Sequence, residues 1–449
     1  MKTCFLKRCG SDERSLRAKK NIIWSSVLKA ISIFISLQLV PLTLDFVSSE
    51  IYGIWLTMSS IIAWAAYFDA GFAHGFRNRF AEAISKGNII LGRKYLSTTY
   101  AILSIIFVSI IILFFIINSF LNWSDILNLD QSLNLEIRFS FYILGCFFCV
   151  NFIANTINVF LSACQIPALS ALLSTIGQIV SLIAIVILTK TVKGSLVYLS
   201  IAISALPCIS LIVCTYIIFK LKKFKSYRPS LKLIDYSLVK DILGLGVKFF
   251  IVSVSTLIIF QFINILLTRL QGPVSVTQYN ISYKYFNVLH LAAGILIGPF
   301  WSAFTEAYTQ RDYDWMSKTL RTFDKIQFGV IFSAIVMLSL SEFVYRFWIG
   351  DKVYIPITIS FATCLYVLSM TIGMVYMYMI NGIGKIYLQL LTYLLFAIIA
   401  YPVSYYTCKN WGVVGILAIP TLVYSFQAIL MRIQLNKILN NTATGIWNK

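Results

Sequence analysis

Apolar runs of about 20 residues recur along the whole chain, and they constrain its fold more than any other feature. A run of that length spans the hydrocarbon layer of a bilayer as a helix. Helices and closed barrels are the structures that satisfy every backbone polar group away from water. The runs fall at 21–44, 47–68, 95–117, 139–161, 168–189, 194–219, 242–268, 278–305, 326–346, 355–380, 386–407 and 412–435. They predict an all-α, polytopic membrane protein with about 12 transmembrane helices. Composition agrees. Only 12% of the 449 residues are charged, 59% are hydrophobic, and the mean hydropathy is +0.83. Soluble domains carry about 25% charged residues.

Residues 1–20 are strongly basic, and the first run is longer than a signal-peptide core with no small-residue cleavage site behind it. It reads as the first span. Cys146 and Cys149 form GCFFC inside an apolar run, where thiolates are hard to form. Small residues packing a membrane helix explain that pair better than metal or redox chemistry, and no cofactor or metal is expected.

Lysine and arginine set the orientation. With both termini on one side, that side receives 27 of the 37 cations and the opposite side seven; Lys29, Lys248 and Lys284 lie within spans. This asymmetry predicts both termini in the cytoplasm. The net charge of +20 is thus mainly an orientation signal, and nucleic acid is not an expected partner because no basic soluble domain exists to bind it. The most polar connection, KLKKFKSYRPSLKLIDY from Lys220, has six spans on either side. The predicted organisation is a basic cytoplasmic tail (1–20), an N-terminal six-helix half (21–219), a cytoplasmic linker (220–241), a C-terminal six-helix half (242–436) and a short cytoplasmic tail (437–449). Halves with an even number of spans share one orientation, as parallel repeats do.

The stretch DAGFAHGFRNRFAEAIS, from residue 69, places several charges between two apolar runs. Shifted by 224 residues, the window 76–98 meets 300–322 with seven identities, at Phe76/Phe300, Phe80/Phe304, Glu82/Glu306, Ala83/Ala307, Lys94/Lys318, Leu96/Leu320 and Thr98/Thr322. Both windows lie where the second span of a half ends. Arg77, Arg79 and Glu82 can anchor the helix at the headgroups through a surface ion pair, or line a cavity mouth. The duplicated glutamate favours a paired gate.

DAGFAHGFRNRFAEA, with SSEIYGIWLTMSS before it, resembles the first half of a polysaccharide flippase of the O-antigen or capsule type. LGLGVKFFIVSVSTLIIFQFINILLTRLQGPVSVTQYNISYKYF, from Leu243, resembles the start of that family's second half. The family belongs to the multidrug/oligosaccharidyl-lipid/polysaccharide exporter superfamily. The resemblance implies two pseudo-symmetric six-helix bundles around a central cavity in the bacterial plasma membrane. It also implies transfer of a polyprenyl-diphosphate-linked oligosaccharide from the cytoplasmic to the outer leaflet, with glycan polymerase and glycosyltransferases as partners beside the lipid bilayer.

Charges within spans usually face the protein interior or water. Lys29, Lys248 and Lys284, with Arg77 at the mouth, are the candidates for a cationic, diphosphate-binding cavity; snorkelling to the headgroups is the alternative for the three lysines. Asp45, Asp69, Glu82 and Glu306 are the candidate gating or ion-coupling acids. His290 is either a proton relay or a hydrogen-bonding group between helices. Asn264, Gln261 and Gln178 are expected to make interhelical hydrogen bonds, with sugar contact as a second role. MVYMYMINGIG, from Met374, reads as packing.

The chain contains no G-x-x-x-x-G-K-[ST] loop for ATP. A cation-coupled drug exporter of the same superfamily is the alternative reading, although it would want an acidic cavity. A membrane polymerase or ligase would need external catalytic groups. The longest external loop, 118–138, offers Asp125, Asp130 and Glu136 without a histidine, so an enzyme is not expected.

Overall fold

The computed structural model describes residues 11–64, 72–164, 166–240, 259–260, 262–297, 300, 304, 307–308 and 310–448, all in helices, turns and connections. Contacts divide the chain into two compact units. One comprises Met1–Ile51 and Met58–Ser253, the other Tyr52–Thr57 and Val254–Lys449. The contact boundary between Ser253 and Val254 lies just beyond the linker 220–241.

The first unit contains α1 (Ser11–Phe46), most of α2 (Ser49–Ala63), α3 (Phe72–Ser85), α4 (Ile89–Phe120), α5 (Trp123–Leu127), α6 (Asn134–Ala154), α7 (Thr156–Ala163), α8 (Pro167–Thr191), α9 (Leu196–Ser200) and α10 (Leu206–Lys220). Helix α2 starts where the Ser48 hydroxyl accepts a hydrogen bond from Ile51 N–H, relieving one orphan donor of its first turn. Pro167 opens α8 at a position where its missing N–H costs nothing. Between α9 and α10, residues Ile201–Ala205 form a π turn just ahead of Pro207, so the span continues past a proline that cannot donate. Helix α1 packs along α8, α4 along α6, and α10 along α8. Ser32 donates to Gln178 Oε1 at 2.6 Å across the α1–α8 contact.

The second unit contains α11 (Ile263–Gln271), α12 (Pro273–Ile297), α13 (Tyr313–Ile349), α14 (Ile357–Ile383), α15 (Tyr387–Ile416) and α16 (Ala418–Leu439). Helix α14 is its central element, packed by α12, α13 and α16. Met374, Met379 and Ile380 of the MVYMYMINGIG run are buried, as packing requires. Helix α15 breaks at Gly412 (φ 56°, ψ −132°), a few residues beyond the predicted end of its run at 407.

Every predicted apolar run is occupied, at least in part, by described helix. Among the described residues, eight helical segments are long and apolar enough to cross a membrane: Val27–Phe46, Ile89–Phe120, Gln131–Ala163, Pro167–Thr191, Leu196–Lys220, Tyr313–Lys352, Ile357–Ile383 and Tyr387–Ile416. Helices α12 and α16 are long enough but more polar. Lys284 and His290 dilute the first, and Arg432 and Gln434 the second. Helix α13 presents Phe328, Phe332, Phe343 and Phe347 outward, each more than two-thirds exposed. Such a stripe is stable against lipid and would be a liability in water.

The 224-residue offset seen in side chains recurs in the backbone. Helices α4 and α13 begin at Ile89 and Tyr313. Asn88 and Asp312 cap them, accepting from Leu91 N–H and Trp315 N–H at 3.0 Å each. The preceding Gly87 and Arg311 are both left-handed, at φ 74° and 59°. The amides of Asn88 and Asp312 reach back to the carbonyls of Ala83 and Ala307, both at 2.9 Å. One turn was thus built twice. Its shared side chains are mostly core. Phe76, Phe80, Ala83 and Leu96 lie in the first unit's buried cluster, and Phe304, Ala307 and Leu320 in the second's.

Candidate functional site

Of the predicted residues helix α12 carries Lys284 and His290, and Lys284 lies at one end of a polar seam within the second unit. Asn280 and Lys284 lie one turn apart on the same face. Asn280 Nδ2 donates to Asn264 Oδ1 on α11 at 3.0 Å. Thr268, one turn beyond Asn264, donates to the Asn264 carbonyl at 2.9 Å and meets the Thr57 hydroxyl at 2.5 Å. At the other end of the seam, the half-buried Lys284 donates to Tyr52 Oη at 3.4 Å. Tyr52 is 2% exposed, and its ring stacks on Trp55 at 6.0 Å. The α2 segment can come this close because Gly53 has no Cβ; one built there would lie 1.9 Å from the Pro273 carbonyl oxygen. The seam therefore runs from Thr57 through Thr268 and Asn264 to Asn280, and Lys284, one turn further along α12, meets Tyr52 of the same α2 segment.

Lys284 is the one formal charge among these side chains. An ammonium with a phenol oxygen as partner is only partly compensated, because a neutral oxygen is a weaker acceptor than a carboxylate. The arrangement holds a cation in a polar setting and is suited to an anionic ligand.

The remaining predicted residues are distributed as follows. Lys29 is exposed on α1, Asp45 is exposed in its last turn, and Arg77 is exposed on α3. Glu82 lies on the surface of α3, paired with Arg79 at 3.2 Å and Lys86 at 2.7 Å. The hydrogen bond from Lys86, and then that from Arg79, holds its carboxyl below the usual carboxylate range. Gln178 makes the α1–α8 hydrogen bond described above, and Asn264 the α11–α12 one. His290 Nδ1 meets Thr371 Oγ1 on α14 at 3.2 Å. Because that hydroxyl already donates to the Val367 carbonyl at 2.7 Å, the bond assigns the proton to Nδ1. Asp69, Lys248, Gln261 and Glu306 lie outside the described residues.

In the loop 118–138 the acids are engaged within the loop or with α9. Asp130 accepts from Ser132 N–H at 2.8 Å. Asp125 accepts from the side chains of Asn122 and Gln131. Glu136 caps α9 by accepting from Ser195 Oγ and Leu196 N–H, both at 2.7 Å.

One charged cluster escaped sequence reasoning. Arg432 Nη2 meets Asp324 Oδ2 at 2.7 Å, joining α16 to α13, and Tyr376 of α14 donates to Asp324 Oδ1 at 3.0 Å. Tyr376 Oη also lies 3.1 Å from Gln327 Oε1, while Gln327 Nε2 is buried without a partner. Turning that amide over puts an N–H donor on the phenol and leaves the amide oxygen in the place without a partner. The signal was present: Arg432 lies inside the predicted run 412–435, and Asp324 borders the run 326–346.

A sequence profile of a family described as "Polysaccharide biosynthesis protein" matches residues 18–300. A protein of Yersinia pseudotuberculosis named "Putative O-antigen export protein" is 24% identical over 417 residues, covering 88% of this chain and 89% of the relative. Among solved structures, the inward-facing conformation of a multidrug resistance MATE family transporter of the MOP superfamily superposes with a TM-score of 0.68 at 14% identity, covering 94% of this chain and 96% of that one. A MOP superfamily transporter from Pyrococcus furiosus, described as having a binding pocket of reversed polarity, superposes with a TM-score of 0.63 at 15% identity, covering 95% and 97%. At such identities the likeness to solved structures is one of fold.

Proposed function

The chain belongs to the polysaccharide biosynthesis protein family, and from that premise we propose that it is a flippase. It moves a polyprenyl-diphosphate-linked oligosaccharide from the cytoplasmic to the outer leaflet of the bacterial plasma membrane by alternating access. The name of the Yersinia relative supports export of an O-antigen type of glycan. The observation that carries the cargo assignment is Lys284, a half-buried ammonium on a mainly apolar helix with a phenol as hydrogen-bond partner. A diphosphate headgroup supplies the charge-assisted acceptor that Tyr52 does not. In this reading the prenyl tail stays in lipid. Lys29, Lys248 and Arg77 add cationic contacts, and Asp45, Asp69, Glu82, Glu306 and His290 supply any gating or ion coupling. Glycosyltransferases deliver the cargo and a glycan polymerase receives it.

The test is complementation of a deletion strain, with lipid-linked glycan assayed on each leaflet. Lys284→Ala is expected to lower glycan transfer about 10- to 100-fold, the worth of one hydrogen bond to a charged group. Lys284→Arg should retain most of the transfer. Full surface glycan in the Lys284→Ala strain would overturn the cargo assignment. The fold likeness to a multidrug transporter favours a second reading, drug export, and extrusion of cationic dyes by the purified, reconstituted protein would support that reading instead.

A further inference from the structure

The linker after α10 is folded as a rigid strap. Phe224 and Tyr227 are buried, with ring centroids 6.0 Å from Phe160, and Tyr227 also lies 5.9 Å from Phe80. The first turns of α4 hold the rest. Arg93 donates to the Arg228 carbonyl through Nε at 3.1 Å and Nη2 at 2.9 Å. Ser97 Oγ accepts from Ser230 N–H at 3.0 Å, and Thr98 Oγ1 from Asp235 N–H at 2.9 Å. Lys94 meets Asp235 Oδ2 at 3.1 Å.

These pins use Asp235, the one acid among the described linker residues, and leave an outer surface of one sign. Lys222, Lys225 and Lys232 are exposed and have no acidic partner among the described residues. Between them the folded strap presents apolar side chains outward, with Leu231 87% and Tyr236 59% exposed. Leu221, the first residue after α10, and Ile90, in the first turn of α4, are likewise exposed. The strap's turns pack on both helices, so this basic and apolar surface lies where two lipid-facing spans end. An exposed leucine on a pinned turn, flanked by lysines at the end of a span, is the pattern of an interfacial element.

We infer that the strap 221–240 is a docking surface for anionic phospholipid headgroups. Lys222, Lys225 and Lys232 contact lipid phosphates while Leu231 and Tyr236 enter the acyl boundary. The proposal is independent of the transported cargo. Lysines near an anionic membrane surface each strengthen binding by roughly fivefold. The pinning by α4 means that the surface is built before lipid arrives.

The full-length protein, purified and exchanged into nanodiscs of phosphatidylcholine with or without phosphatidylglycerol, tests this. Wild-type protein is expected to retain phosphatidylglycerol in native mass spectra, and amides 221–240 should exchange more slowly when that lipid is present. Combining Lys222→Gln, Lys225→Gln and Lys232→Gln should lower apparent lipid affinity on the order of a hundredfold with an unchanged melting midpoint. Lys190→Gln with Lys193→Gln, at the far end of α8, should leave it intact. Leu231→Ser is expected to weaken retention without altering its salt dependence. Equal retention by the triple variant overturns the proposal. So does equal protection of the strap without anionic lipid. Strap protection only in the presence of an acidic protein would also overturn it, assigning the surface to a protein partner.

Discussion

At the scale of single residues, the duplicated turn offers an internal control. Its two copies share helix starts, caps and carbonyl contacts at one offset, yet the left-handed position holds glycine in one copy and arginine in the other. A side chain with a Cβ costs roughly 1–2 kcal/mol in that conformation. Arg311→Gly is therefore expected to raise the thermal midpoint in detergent, by about 1 kcal/mol of stability. Gly87→Ala should lower it by a similar amount, because glycine adopts φ 74° without strain and the space around its missing Cβ is open. Opposite shifts in the two variants are the expected result; like-signed shifts would mean that the turns are not equivalent. The repeat was legible in sequence because identical side chains recur at one spacing. That most of the shared residues are buried was not, because burial depends on partners such as Phe160 and Tyr227, distant in the chain. The same limit applies to Lys284. Its place in an apolar run marked it as a candidate, but Tyr52, 232 positions away, could be paired with it only once the second unit was folded.

At the scale of elements, polar residues tie helices together in two ways. Neutral pairs such as Ser32–Gln178 and Asn280–Asn264 were foreseeable as interhelical bonds, since an amide in an apolar run must find a partner. The ionic tie among α13, α14 and α16 was missed although Arg432 lies inside a predicted run, because both its charges sit near run edges and read as loop cations and acids. The Asp324 and Arg432 side chains are each about 30% exposed, so the pair is partly screened and its coupling is smaller than that of a fully buried pair. A double-mutant cycle with Asp324→Ala and Arg432→Ala, read as thermal stability in detergent, is expected to give a coupling energy of about 1–2 kcal/mol. Either single variant should be more damaging than its own lost contact, because it leaves the opposite charge unmatched in a half-buried site. Additive effects would show that the pair contributes position without energy. Helix breaks were the least legible elements. The π turn before Pro207 and the bend at Gly412 follow from which backbone donors find acceptors, and apolar periodicity does not report that.

At the scale of the molecule, membrane character was the most legible property, because it rests on summed composition and tolerates uncertain boundaries. The exposed phenylalanines of α13 and the long apolar helices agree with it. Orientation is a separate inference carried by charge alone, since 27 of 37 lysines and arginines fall on one side of the predicted topology. The strap holds a dense share of them, all on a pinned surface, whereas the loop 118–138, predicted on the opposite side, has its acids engaged by its own residues and by α9. If the charge count sets the orientation, a reporter that fluoresces only in the cytoplasm should be active when fused after residue 449 or inserted near Leu231. A reporter active only outside the plasma membrane should work when inserted near Asn128. The insertion sites are chosen on exposed turns so that the bundle cores stay intact. The inverted pattern would place Lys94, Asp235 and the strap on the external side and remove the cytoplasmic entry route from the flippase reading. Activity of both reporters at one site would mean that the chain inserts in two orientations, which so strong a charge bias should forbid. Moving the bias should then move the protein: replacing Lys222, Lys223, Lys225 and Lys232 with glutamine is expected to weaken the orientation of the second half first, since the first six spans keep the basic tail and the cations of α3 and α4.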